Sequence, residues 1–299
     1  MMLVIGANGQ LGQCFQQAAL SCPDITFQFK SSAELDITRF AAVSKTIQSL
    51  AAQYPKLWVI NCAAYTAVDK AESEPDQARR VNVQGVRNLA RICASLELPL
   101  VHFSTDYVYH SKQNTPFIET DSVHPVGVYA KTKLAGERAA LQQHPTKTMV
   151  IRTSWVYSGF GNNFVKTMLR LGAERPMLRV VWDQIGSPTY APDLADAVIQ
   201  IYDQVTTGKM AVESIGGIWH YANEGVASWY DLADAVFEYE QLGCKLEPIT
   251  TQEYPTPARR PPFSVLDKSK IKSAFGLEIP HWRTSLQKCL KAIKATSAH

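Results

Sequence analysis

Six cysteines in 299 residues, at positions 14, 22, 62, 93, 244 and 289, include no Cys-x-x-Cys pair and none at metal-ligand spacing from a histidine. Scattered cysteines in a chain this long exclude a disulfide scaffold and read as reduced thiols of a cytoplasmic protein. No uncharged apolar run approaches the roughly 18 residues of a membrane span. The N-terminus lacks the basic start and cleavage site of a secretory signal and enters structure at once. Thirty Lys and Arg against 27 Asp and Glu leave a net charge of +3, spread along the sequence. That balance speaks against a nucleic-acid binder or a polybasic membrane anchor. Charged residues are 19% of the chain, below the usual share, but 46% are hydrophobic, enough for a sizeable core and too many for disorder. Repeats, low-complexity tracts and flexible linkers are missing too.

The first half instead shows a rhythm. Met2–Ile5 is a strand-like apolar run, followed by a glycine loop and Leu11–Ala19 at helical spacing. Ile25–Phe29 again reads as a strand and Phe40–Ala52 as a helix; Leu57–Ala63, Ala78–Leu96 and Leu98–Ser104 continue as strand, helix, strand. Tyr129–Gln142 and Thr148–Ser154 add a helix and a strand. Such alternation predicts an α/β fold, a Rossmann-like doubly wound parallel sheet with helices on both faces. The rhythm then breaks at Gly159-Phe160-Gly161-Asn162-Asn163 and the proline-rich Tyr254–Pro262, with further helices over Ala191–Val205 and Ser228–Tyr239. Residues 1–152 are expected to form the sheet domain and 153–299 a smaller mixed α/β domain, with 183–208 packing back on the first.

Gly6-Ala7-Asn8-Gly9-Gln10-Leu11-Gly12 lies between the first strand and the first helix. A dinucleotide pyrophosphate needs glycines where the backbone turns, where it approaches the phosphates and where helix packs on strand. The spacing here, GxxGxxG, is one residue wider at the front than the usual fingerprint. A bare tight turn is the bland alternative, disfavoured by the strand–loop–helix context. At the end of the second strand, NAD binding calls for a carboxylate. The chain offers Lys30-Ser31-Ser32 there, with Glu34 and Asp36 later. A cation and hydroxyls favour a 2′-phosphate, hence NADPH over NADH, with NADH left open.

Tyr129 and Lys133 stand four apart, on one helical face. A carbonyl reductase must give a proton to the substrate oxygen, and a tyrosine can do so if a fixed ammonium stabilises its phenolate. The Tyr-x-x-x-Lys spacing alone carries little, since about 0.7 matches arise by chance in such a chain. Position raises its weight. Ser104-Thr105 ends the strand Leu98–Ser104, where ligands bind in open α/β sheets, and the Thr105 hydroxyl could meet a substrate oxygen beside Tyr129. Asn61-Cys62-Ala63-Ala64-Tyr65 ends the preceding strand on the same edge.

With these residues assembled, the chain resembles the extended short-chain dehydrogenase/reductases. The matching segments are GANGQLG (6–12), NCAAYTAVDKAE (61–72), STDYVY (104–109), PVGVYAKTKLAGE (125–137), IRTSWVYSGFGNNFVKTMLR (151–170), DQIGSPTYAPDLA (183–195) and YPTPARRP (254–261). The set resembles, more closely, those members that reduce the 4-keto group of dTDP-4-dehydro-L-rhamnose to dTDP-L-rhamnose, a cell-surface polysaccharide precursor. The resemblance implies Tyr129 as proton donor, Lys133 as its pKa partner and nicotinamide-ribose ligand, and Thr105 as the tuning hydroxyl. It places Asp106 in the sugar-nucleotide site and Gly9, Gln10, Leu11, Ala64, Tyr65 and Thr66 along the cofactor. Asp36 and Ile37 fall near the adenine, Trp155 against the sugar, and Asn163 and Arg260 at the nucleotide end. Two departures stand out: Gln13-Cys14-Phe15 lacks the acidic residue that some members carry and that is linked to a metal-bridged dimer, and Tyr65 stands where some relatives have a histidine, with no functional consequence attached. No metal is implied, and a monomer or weak homodimer is expected.

Several residues read as structure instead. His102, in an apolar strand, reads as a core histidine; His124 and His220 lack a metal-spaced partner. Arg79-Arg80 and Lys268-Ser269-Lys270 read as solvated faces, and Trp219-His220-Tyr221 and Trp229-Tyr230 as core. Two alternative functions remain open. A nucleotide-sugar 4,6-dehydratase or epimerase shares the motifs, but dehydratases carry an acidic residue after Thr-Asp, where this chain has Tyr107. A non-catalytic regulatory subunit like that of methionine adenosyltransferase also shares them; intact Thr105, Tyr129 and Lys133 argue against it.

Overall fold

The computed structural model describes residues 1–297. The first half alternates as its apolar runs require: β1 (Met2–Ile5), α1 (Gln10–Ala19), β2 (Phe27–Lys30), α2 (Phe40–Gln53), β3 (Trp58–Asn61), the short α3 (Val68–Ala71) and α4 (Pro75–Arg79), α5 (Val86–Ser95), β4 (Leu100–Thr105), α6 (Gly127–Gln143) and β5 (Thr148–Thr153). The second half carries β6 (Val156–Tyr157), α7 (Phe164–Glu174), β7 (Met177–Val181), β8 (Ile185–Gly186), β9 (Thr189–Tyr190), α8 (Ala191–Thr206), β10 (Gly217–His220), β11 (Ala227–Ser228), α9 (Trp229–Glu240), β12 (Lys245–Ile249), α10 (Ser269–Phe275) and α11 (Trp282–Ser297).

Six strands form one parallel sheet in the order β2-β1-β3-β4-β5-β10. The strands β1, β3, β4 and β5 are buried at every position, as strands covered on both faces must be. The chain leaves β1 outward to β2 and returns to β3 on the other side, so a crevice opens beyond the carboxyl ends of β1 and β3. On one face, Met2, Val4, Ile60, Val101 and Ile151 pack with Phe15 of α1 and Leu194, Val198 and Ile201 of α8. On the other, Leu3, Ile5, Val59 and Leu100 pack with Val43 and Ile47 of α2 and Val86, Leu89 and Ile92 of α5. Each such side chain contributes ~1.5–3 kcal/mol by leaving water. A third cluster joins α7, α9 and α11 through Met168, Leu232, Val236, Leu286 and Leu290.

The run Ala78–Leu96, expected as one helix, is interrupted. A six-residue π-helical stretch, Arg80–Gly85, separates α4 from α5. The wider turn brings buried Asn82 to the loop after β3, where its Oδ1 accepts from Tyr65 N–H at 2.8 Å and its Nδ2 donates to Tyr65 C=O at 3.1 Å. The same stretch packs so closely on α6 that a Cβ on Gly136 would lie 2.1 Å from Asn82 C=O. Periodicity shows no such contacts. Two further readings are corrected. Lys268 is not solvated: it is 8% exposed and pairs with Glu224 at 3.2 Å. Trp229 is not a plain core residue but lines a cavity described below.

Candidate active site

Three strand ends and one helix start build the site. Gly6 follows β1 at φ +85°, in the left-handed region, and a Cβ there would lie 2.6 Å from Ala63 N, where the chain leaves β3. A Cβ on Gly12 would lie 2.4 Å from Gly6 C=O, so only glycine lets α1 seat on the loop. Gly9 N–H donates to Gly6 C=O at 3.0 Å and Gly9 is the residue before α1. The N-terminus of α1 therefore faces the crevice with open backbone donors, which suits a dinucleotide pyrophosphate. At the end of β2, Lys30 lies 3.9 Å from Glu34, while Ser31 donates its N–H and hydroxyl to the same Glu34 carboxylate at 2.8 and 2.7 Å. Farther along, Asp36 accepts from Thr38 N–H at 2.9 Å, and buried Ile37 packs where a Gly85 side chain would stand. Ala64, Tyr65 and Thr66 follow β3, with the Tyr65 hydroxyl on Glu74 at 2.8 Å.

Thr105 ends β4, and its hydroxyl donates to Asp106 Oδ1 at 3.1 Å and accepts from Tyr107 N–H at 3.2 Å. Across from it stands Tyr129 in the first turn of α6. Gly127, at φ +82°, opens that helix, and Glu72 caps it by accepting from Val128 N–H at 2.8 Å. The Tyr107 ring meets Tyr129 edge-on, with centroids 5.8 Å apart. Burial pushes the Tyr129 phenol up to about 12, opposed by a hydrogen bond with Thr105. One turn on, Lys133 is 2% exposed and donates from Nζ to Phe103 C=O at 2.6 Å. Burial pulls its ammonium down to about 8, opposed by the Glu137 carboxylate. A protonated phenol beside a cation and a hydroxyl can give a proton to an oxygen and stabilise the phenolate left behind. Asp106 is 2% exposed, its Oδ2 has no hydrogen-bond partner among the described residues, and burial pushes its carboxyl up to about 6.

Beyond these groups lies a cavity of about 710 Å³, lined by Phe164, Met168, Arg179, Gln184, Trp229, Tyr254 and Arg260 among others. Its Trp229 stacks face to face on Trp155, with centroids 3.6 Å apart, and donates from Nε1 to Gln184 at 3.1 Å. Trp155 holds φ +48°, costly for a bulky side chain, and a Cβ on Gly186 would lie 2.7 Å from its ring. Arg260 is partnered already: Nη1 and Nη2 donate to Asp69 at 2.9 and 2.7 Å, and Nη1 also donates to Ala258 C=O at 2.7 Å. The Asn163 side chain is taken up within the protein. It donates to Gln10, Ser158 and Phe160 and caps α7 by accepting from Lys166 N–H at 3.1 Å. Gln10 in turn donates to Val156 C=O at 3.0 Å, tying the glycine-loop helix to β6.

The structure thus brings Thr105, Asp106, Tyr129 and Lys133 together, sets the glycine loop and Ala64–Thr66 on the same edge, and puts Arg260 at the cavity; Trp155, expected against the sugar, instead backs the cavity-lining Trp229, its ring packed between Trp229 and Gly186. Sequence reasoning missed Asp69, Glu72, Asn82, Glu137, Arg152 and Trp229. Only Glu137 carried a local signal, standing one further turn along the face of Tyr129 and Lys133. Asp69 and Arg260 are 191 positions apart, beyond the reach of any spacing rule.

The profile of the RmlD substrate binding domain matches residues 1–295. A dTDP-4-dehydrorhamnose reductase of Aggregatibacter actinomycetemcomitans is 41% identical, the match covering 98% of each chain. Among solved structures, a dTDP-4-dehydrorhamnose reductase from Clostridium acetobutylicum is 37% identical with a TM-score of 0.88, covering 98% of this chain and 99% of that one. That from Bacillus anthracis, in complex with NADP, is 34% identical with a TM-score of 0.89, covering 97% and 98%.

Proposed function

Since the chain belongs to the RmlD substrate binding domain family, we propose that it reduces the 4-keto group of dTDP-4-dehydro-L-rhamnose to give dTDP-L-rhamnose, with NADPH as the preferred donor. The observation that carries this is the Thr105–Tyr129–Lys133 group at the carboxyl edge of β4, beside a glycine loop in which a side chain at Gly6 or Gly12 would collide with backbone. Those bare positions and the α1 N-terminus fit a dinucleotide. The bound cofactor supplies the hydride for the sugar carbonyl carbon. Tyr129 gives its phenolic proton to the oxygen, and Thr105 holds that oxygen by a hydrogen bond. Lys133 supplies the positive charge that makes the phenolate affordable and a donor for the ribose. Trp229, backed by Trp155, offers flat apolar surface at the sugar, and Arg260 offers charge to the diphosphate.

Residues 1–152 mainly serve the cofactor and 153–299 mainly the substrate, although α8 returns to cover the sheet and β10 joins it beside β5. The protein works in the cytoplasm as a monomer or weak homodimer; among the described residues no helix is long and apolar enough to cross a membrane. Tyr107, following Asp106, cannot supply the second acid of a dehydratase. The test is oxidation of NADPH or NADH in the presence of dTDP-4-dehydrorhamnose made in situ by the upstream enzymes. Turnover with either, faster with NADPH, is expected. No oxidation with both, or co-purification with a second polypeptide, would favour the regulatory-subunit reading.

A further inference from the structure

Tyr129, Lys133 and Glu137 stand at successive intervals of four on α6, so the helix carries the three along one face. Glu137 is 1% exposed and takes no part in the chemistry described above. It is nonetheless held by two side chains. Arg152 of β5, 2% exposed, donates from Nη2 to Glu137 Oε2 at 2.7 Å and from Nε to both carboxylate oxygens at 3.1 and 3.2 Å. Ser104 of β4 donates its hydroxyl to Oε1. Arg152 is fixed in turn, since its Nη1 donates to the Tyr109 hydroxyl at 2.6 Å, which meets His220 Nε2 at 2.8 Å. The His220 Nδ1 faces two carbonyls, of Phe117 at 3.1 Å and Asp267 at 3.2 Å, so the proton sits there and Nε2 accepts. Lys133 and Glu137 therefore engage consecutive residues of β4, Phe103 and Ser104, directly beneath Thr105.

A carboxylate this buried is costly unless it compensates a charge. Arg152 pairs with it directly, and Lys133 stands one turn back on the same face of α6. The other groups near Lys133 do not offer an alternative. From β4, His102 is kept neutral by burial, and Asp106 is held by Thr105 and Ser264. From α6 come Tyr129 and Glu137, and from the loop after β4 comes Tyr107, edge-on to Tyr129. Burial and the Glu137 carboxylate are the two influences on Lys133, with opposite sign.

We propose that Glu137, clamped by Arg152 and Ser104, is a positioning residue for the reduction: it keeps Lys133 an ammonium under Tyr129 at working pH. This rests on the reading of Tyr129 and Lys133 given above. The consequence is a reductase whose alkaline limit is set by a residue that touches neither substrate nor cofactor.

The test is the pH dependence of kcat for NADPH-supported reduction by the wild-type enzyme, Glu137→Gln and Glu137→Asp. Gln keeps the shape and loses the charge, so the alkaline midpoint should fall by about one pH unit; Asp should restore most of it. Should Glu137→Gln fail to fold because Arg152 is left unpaired, Glu137→Gln/Arg152→Met removes both charges; loss of the Arg152 cation offsets part of the effect, so its midpoint should lie below wild type by less than the single variant's. A midpoint identical to wild type in the folded variant, whatever its melting temperature, overturns the inference and leaves Glu137 a structural ion pair. If the wild-type enzyme oxidises no cofactor at all, the reading beneath it falls as well, so the two failures are distinguishable.

Discussion

Replacing Arg260 with alanine probes how the anionic half of the substrate is held. Three guanidinium N–H bonds are spent inside the protein, on Asp69 and Ala258. The remaining N–H groups are those that can reach a diphosphate in the adjoining cavity. A hydrogen bond to a charged group is worth ~1.5–3 kcal/mol, so its loss should raise KM for the dTDP-sugar by about 10- to 150-fold. Asp69 then loses its charge partner and keeps only the Ala258 N–H at 3.1 Å. Its side chain is 42% exposed, so solvent damps its repulsion of the diphosphate, and that adds a minor share. The double variant Asp69→Asn/Arg260→Ala should recover about two- to fivefold of the loss by removing that repulsion. Arg260→Lys should fall between, keeping the charge but not the planar fork. Steady-state kinetics with the sugar varied, and NADPH affinity followed by fluorescence, separate the effects. KM within twofold of wild type, or a lost NADPH affinity at unchanged KM, would refute the assignment of Arg260 to the diphosphate.

Gly12→Ala puts a Cβ 2.4 Å from Gly6 C=O and 2.7 Å from the Ala7 backbone. The overpacking should cost ~1–3 kcal/mol or more in thermal stability and weaken NADPH binding at least tenfold, while Gly243→Ala, with open space around it, should change neither. Burial holds His220 down to about 3, below its ordinary 6.5. The unfolded chain thus binds the extra proton between those values, and stability should fall as pH drops through that window. His220→Gln, compared by acid titration of the melting temperature, should flatten the fall; an unchanged slope would exclude His220 as its source.

Much of the sheet was legible because β1, β3 and the middles of β4 and β5 are apolar runs; β10, whose Trp219 and His220 read only as core, was not legible as a strand. The glycine loop and the pair Tyr129 and Lys133 were legible because local geometry sets them. The π-helical turn at Arg80–Gly85 was not, since its cause is the contact of Asn82 with Tyr65 and Gly136, distant in sequence. Lys268 read as solvated because two lysines flank a serine; only the fold brings Glu224 to it. The resemblance assigns Asn163 to the substrate; that its side chain also caps α7 and donates to Gln10, 153 positions away, no spacing rule shows. Arg260 lay in a proline-rich segment without periodicity, and its pairing with Asp69 depends on the second half folding over the first.

The most direct test compares Tyr129→Phe with wild type under saturating NADPH and dTDP-4-dehydrorhamnose, alongside NADPH binding. The phenol is the group placed to protonate the sugar oxygen, so kcat should drop by about 10²–10⁴-fold. NADPH affinity should stay within a few-fold, because Lys133 and the glycine loop are untouched. Turnover near wild type in that variant would contradict the account.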